Sequence, residues 1–158
     1  MRASADVNDW FVPLVVIKPT DTDRTAHGTP SSDPDLQLAV DANAIYEVSA
    51  IIKYDGGGGG SEGDILYTWN VPSGASFEYA DTHQSISSGA TTIWGVDSSN
   101  YTAGTNGTGT YEPLTHIGIL TMGSTAGNLV FAWAKNTAPD GTNTHVRANS
   151  FIRARRIG

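Results

Sequence analysis

The chain has 158 residues, a formal net charge of −7 and no cysteine, which excludes disulfides and thiolate metal sites and fits one domain. A domain of this length buries roughly 70% of the surface its unfolded chain exposes, enough for a core without covalent staples. Eighteen glycines with abundant Thr, Ser, Asn and Asp make a poor helix-forming mixture and a good one for short strands joined by turns.

The first nine residues are polar, with one arginine and no apolar region of a secretory signal. Trp10, Phe11, Val12, Pro13 and Leu14 then form an apolar cluster. Extended to Ile17 it is the longest nearly continuous apolar run, far short of the ~20 residues that span a bilayer, so no membrane partner is expected. Pro13 interrupts any hydrogen-bond ladder. Residues 1–16 therefore read as an N-terminal arm that buries itself against a partner, or as the first strand, and 17–158 as a single β-sandwich domain. The acids Asp21, Asp23, Asp33 and Asp35 offer oxygen ligands but no EF-hand spacing, and are expected in Asx turns of a polar loop.

Period-2 alternation dominates the remainder of the chain. After a short strand at 36–40, the stretch IYEVSAIIKY sets Tyr46, Val48, Ala50, Ile52 and Tyr54 on one face, opposite Glu47, Ser49 and Lys53. Five glycines come next. Gly58, Gly60 and Gly63 match the dinucleotide fingerprint G-x-G-x-x-G in letters, but the fingerprint needs a helix to receive the pyrophosphate, and an alternating strand comes after it. A domain linker would leave too few strands on either side to close a core. The segment from Gly56 to Gly60 reads as a loop joining two strands of one sandwich, long enough to cross between sheets.

Further on, Ile65, Tyr67, Trp69 and Val71 alternate up to Pro72, and 91–96 and 114–122 read as strands flanking a loop at 97–112. Leu129, Phe131 and Trp133 share a face, as do Val146, Ala148, Ser150, Ile152 and Ala154 in one long closing strand. With an opening strand at 11–18 the count is about eight. Short strands punctuated by turns such as Asn106-Gly107 and Asp140-Gly141 predict an all-β, antiparallel sandwich or barrel.

No catalytic or cofactor motif is present. H-E-x-x-H, G-x-S-x-G and the P-loop are absent, and the serine of GSTAG at 123–127 stands one place too early for a nucleophile elbow. His27, His83, His116 and His145 are dispersed without ligand spacing and are expected at solvent or strand edges, so no metal is expected. All sixteen acids precede Arg147, and Arg147, Arg153 and Arg155 line the face of the closing strand opposite its apolar side. Such a row suits a phosphate backbone, but the net charge of −7 repels nucleic acid at long range, so these arginines are expected at acids or subunit contacts. Trp69 and Trp133 are expected in the core. Tyr79, Trp94, Tyr101 and Tyr111 lie in or beside loops, where they either stack on sugar rings or serve an interface.

The stretches DPDLQLAVDANAIYEVSAIIKYDG (33–56), YTWNVPSGASF (67–77) and GILTMGSTAGNLVFAWAKNTAPDGTNTHVRANSFIRARRI (118–157) resemble virion structural proteins of tailed bacteriophages, especially phages of actinobacteria. The shared order is a short L-x-L strand, an A-N-x-x-Y strand, a P-x-G-A turn, a G-x-L strand, an L-x-x-x-W-A-x-N strand and a closing V-R-A-x-S-x-I-R strand. It covers about two thirds of the chain. The resemblance implies a jelly-roll-like homotrimeric module without enzymatic activity. It would sit on the capsid exterior as a decoration (cement) protein bound to the major capsid protein, or on the tail as a minor tail protein. No catalytic residues carry over. The expected capsid anchor is Trp10, Phe11, Val12, Pro13 and Leu14, with Arg147, Arg153 and Arg155 at subunit contacts. On a tail, Tyr79, Trp94, Tyr101 and Tyr111 would stack on a host-surface glycan.

Overall fold

The computed structural model describes residues 12–26, 28–57, 64–85, 90–136 and 141–158. Among them there is no helix, and twelve strands form two antiparallel sheets: β1 (Leu14–Ile17), β2 (Thr22–Arg24), β3 (Ser31–Val40), β4 (Ile45–Gly56), β5 (Ile65–Asn70), β6 (Ser76–Gln84), β7 (Ala90–Val96), β8 (Tyr101–Ala103), β9 (Glu112–Thr121), β10 (Gly127–Lys135), β11 (Thr144–Val146) and β12 (Phe151–Arg156). The larger sheet runs β1-β12-β4-β9-β6-β7, with β11 on β4 and β2 on β11, and the smaller runs β3-β10-β5-β8.

The winding is that of a jelly roll. β3 pairs with β10, β4 with β9, β5 with β8 and β6 with β7, so eight strands form one long hairpin rolled across two sheets. β4 and β5 belong to different sheets, so the glycine-rich segment does join the two layers. Gly58 to Gly63 lie outside the described residues. The next element is the strand β5, not the helix a nucleotide fingerprint requires.

Twelve strands replace the expected eight for identifiable reasons. β2 and β8 are three-residue strands, too short for alternation to register. β6 has Phe77 and Tyr79 facing inward, but its next inward positions are Asp81 and His83, and polar residues there disguise the period. The long closing strand is in fact β11 and β12, separated by a turn in which Asn149 has φ 67° and Ser150 Oγ donates to the carbonyl of Arg147. β3 also begins earlier than expected, because Pro34 sits opposite a register shift between Val130 and Ala132 of β10, where no ladder donor is needed.

The core lies between the sheets. Leu36, Leu38, Tyr67, Trp69, Phe131 and Trp133 of the smaller sheet face Tyr46, Val48, Ile52, Phe77, Leu120 and Ile152 of the larger, all at most 6% exposed. Both tryptophans are in the core, as expected. Aromatic rings meet edge to face, Trp69 with Phe77 at 5.5 Å and with Phe131 at 5.3 Å. Gly118 lets β9 and β6 approach: a Cβ there would strike the carbonyl oxygen of Glu78 and come within 2.6 Å of the Cβ of Tyr79.

Candidate functional site

The outward face of the larger sheet is the most unusual surface of the molecule. Alternation along each strand that buries Val48, Ile52, Leu120 and Tyr79 must present the intervening residues to solvent, and here many of these are apolar. Register places Val15, Arg153, Ser49, Ile117, Ala80 and Trp94 in one row across six strands. The next row runs Ile17, Phe151, Ile51, Thr115, Thr82 and Thr92, and the row on the other side runs Arg155, Glu47, Ile119, Glu78 and Val96. Seven large apolar side chains in these rows are 40 to 65% exposed, with Trp94 the most open. Contiguous apolar surface of this kind marks an interaction site, whereas singly scattered residues do not.

The expected site residues are dispersed by the fold. Trp10 and Phe11 lie outside the described residues. Val12 is 68% exposed just before β1, Pro13 is half-buried, and Leu14 is the first residue of β1, paired with Ala154. Tyr79 is not beside a loop: it is fully buried on β6, with Phe77 stacked at 4.9 Å and His116 edge-on at 5.0 Å. Trp94 belongs to β7 and is exposed on the outward face. Tyr101 is half-buried on β8, and its hydroxyl accepts from Val96 N at 2.9 Å. Tyr111 is exposed at the end of the sandwich, with Lys53 Nζ 3.9 Å from its ring centroid and the Arg147 guanidinium at 5.8 Å.

The three arginines do not form one row either. Arg147 leaves the sheet at the turn after β11, where its guanidinium binds Asp55 and Asp21, each at 2.8 Å. Burial would raise the Asp55 carboxyl, but Arg147, Gly109 N and His145 outweigh it and hold Asp55 below the usual carboxylate range. The Asp55 bond raises the Arg147 guanidinium above its ordinary value. Arg155 binds Glu47 at 2.5 Å on the outward face, and Arg153 stands exposed with no ion pair among the described residues.

Polar groups that the sequence suggested for surface turns are instead buried. Asp33 is fully enclosed, accepting from Lys18 Nζ at 2.9 Å and Trp133 Nε1 at 2.9 Å as well as from the backbone of Asp35 and Leu36. The Asx turn is real, but it serves to neutralise a buried lysine. Three histidines are also buried, contrary to expectation, while His27 lies outside the described residues. His83 Nδ1 and His116 Nε2 lie 3.1 and 3.3 Å from Asp81 Oδ1, and the Tyr67 hydroxyl donates to Asp81 Oδ2. Among the described residues neither His116 nitrogen has a well-directed hydrogen bond, and Nε2 lies at the long limit of one to Asp81. Burial would raise Asp81, but His116, His83 and Tyr67 hold it well below the usual range.

A third histidine, His145, donates through Nδ1 to Asp55 Oδ1 at 2.8 Å, and lines an open cleft of about 360 Å³ with Gly57, Thr108, Thr142 and Asn143. Among the described residues, no group of three or more His, Asp or Glu side chains is arranged to hold a metal ion, and no helix is long and apolar enough to cross a membrane. The Asp81 cluster is enclosed in the core, where it can fix side chains but cannot meet a substrate without opening the sandwich.

No protein-family model matches the chain, and no curated protein matches it.

Sequence reasoning missed Val15, Ile17, Ile51, Ile117 and Ile119 as surface residues. The signal was present: Ile51-Ile52 and Ile117-Gly118-Ile119 put apolar residues on both sides of alternating strands.

Proposed function

We propose that the chain is a non-enzymatic virion structural protein, a capsid decoration protein that assembles as a homotrimer, binds the major capsid protein on the capsid exterior and reinforces contacts between capsomers. The observation that carries this reading is the apolar outward face of the six-strand path, whose edge strand β1 is preceded in sequence by the apolar run that begins at Trp10. A surface so disposed is suited to covering and being covered. It agrees with the resemblance to phage virion proteins. Cementing would act by additive burial, at roughly 25 cal/mol per Å² of apolar surface, and linked copies would multiply a modest single contact.

The alternative, a minor tail protein that stacks a glycan, draws on Trp94 and Tyr111, both exposed. It is the weaker reading because the expected platform is broken up. Tyr79 is in the core, Tyr101 is committed to Val96, and Tyr111 lies six residues along the chain from Ile117, the cross-sheet neighbour of Trp94's row, about 20 Å by strand rise.

The test is co-sedimentation of the purified protein with mature capsids and, separately, tails of the phage that encodes it. Saturable binding to capsids in multiples of three is the expected result, and binding to tails alone would reassign the protein to the adsorption apparatus. Deleting residues 1–12 spares β1 and should abolish capsid binding while preserving a strand-rich circular dichroism spectrum. Retained binding would remove that segment as the anchor.

A further inference from the structure

We infer that the outward face of the larger sheet is where one copy of this chain meets the next, with the β12 flank of one copy against the β6 flank of its neighbour. This rests on the self-assembling reading above and adds the surface and polarity of the contact. The face has an apolar centre, Ile51, Ile117 and Ile119 on β4 and β9, and two flanks of opposite charge. On the β12 flank stands Arg153, and on the β6 flank Glu78. Both are exposed, and neither has an ion-pair partner among the described residues. They are three strand positions apart along β12-β4-β9-β6 and one row apart along the strands, about 16 Å at the usual strand spacing and rise.

A partner for this face must cover the isoleucines, place an acid over Arg153 and place a cation over Glu78. The chain itself carries those features in the required order. Turning a second copy about an axis in the plane of the face, perpendicular to the line from Arg153 to Glu78, brings its Glu78 to the Arg153 of the first, with apolar centre toward apolar centre. Trp94, in the same row as Arg153 and Ile117, is then covered at the rim of the contact rather than left 65% exposed. An apolar centre bordered by complementary charges is the usual anatomy of a specific interface, and the charges set which flank meets which. The contact is self-complementary and closes as a pair; a three-fold assembly would use a second surface.

The test is sedimentation of the full chain and of four variants, Ile117→Glu, Arg153→Glu, Glu78→Arg and the double variant R153E/E78R, at concentrations on the order of 10 μM. The wild type should sediment as an oligomer. Ile117→Glu and each single charge reversal should weaken association at least about tenfold. R153E/E78R, which restores opposite signs across the contact, should reassemble, a result that misfolding cannot mimic. An oligomer untouched by Ile117→Glu and both single reversals would overturn the face assignment while leaving self-assembly intact. A wild-type monomer would overturn both. A wild-type dimer dissociated by these variants would support the face and refute the trimer. Capsid co-sedimentation, run in parallel, tests virion membership separately.

Discussion

Asp64 shows how much a single side chain can depend on where the chain puts it. It stands just after the glycine-rich segment, yet it is fully buried, with Oδ1 accepting from Thr105 N at 3.0 Å and, among the described residues, no hydrogen-bond partner for Oδ2. Burial pushes its carboxyl up to about 6. Because the folded value exceeds the unfolded one, the folded state holds the proton more tightly, so a stability cost accrues as pH rises from about 4 and is complete above about 6. The cost at pH 7.5 is on the order of 2 to 3 kcal/mol. Asp64→Asn keeps the acceptor for Thr105 and removes the charge. It should raise the urea midpoint at pH 7.5 and lose that advantage near pH 4; an unchanged or lower midpoint at pH 7.5 would show that the carboxylate is better accommodated than this. Lys18 and Asp33 make the contrasting case, since each buried charge is enclosed with its counterion and removing one would strand the other.

At the level of elements, β6 decides how the larger sheet closes. It joins β9 to β7, and its approach to β9 depends on the missing side chain at Gly118. Gly118→Ala would force the strands apart against the Glu78 carbonyl, a backbone atom that cannot swing aside. We expect a loss of about 1 to 3 kcal/mol, or a melting temperature lower by several degrees, measured by calorimetry. A variant that melts with the wild type would mean that β6 and β9 are less closely apposed than described. β6 is also the element the sequence hid best. Phe77 and Tyr79 promise a strand, but Asp81 and His83 occupy its inward positions, and only the presence of His116 on the neighbouring strand and Tyr67 across the core makes those positions tolerable. β4 and β10 were legible because Tyr46, Val48, Ala50, Ile52 and Tyr54 on the one and Leu129, Phe131 and Trp133 on the other are inward residues apolar on their own account.

For the whole molecule, the response to pH is set by opposing groups. Asp33, Asp55 and Asp81 are held below the ordinary carboxylate range by Lys18, Arg147 and the His83–His116 pair against the opposite pull of burial. Their contribution is present above about pH 4 and lost as pH falls through their folded values, whereas Asp64 contributes in the reverse sense between about 4 and 6. Stability measured by urea unfolding should therefore rise on acidification from pH 7.5 toward 5 and fall steeply below 4. A monotonic decline from neutrality would mean that Asp64 is not the only group titrating in the upper window. In assembly, the outward face of the larger sheet matters at this scale, because no single strand reveals it: Ile51, Ile117 and Trp94 come from three elements and form one surface only after the sheet is ordered.

Composition and alternation in the chain alone determined that the protein is all-β, which tryptophans are buried, and that the glycine-rich segment joins two strands rather than cradling a phosphate. These depend on local backbone preference and on period-2 burial, both written into neighbouring residues. The tertiary structure decided the partners of Asp33, Asp81 and Arg147, the burial of Tyr79, and the line of exposed isoleucines across β4 and β9. Burial of a charge or a polar ring is settled by what other strands offer, from residues as far as 100 positions away in the case of Asp33 and Trp133, and strand sequence carries no record of that pairing.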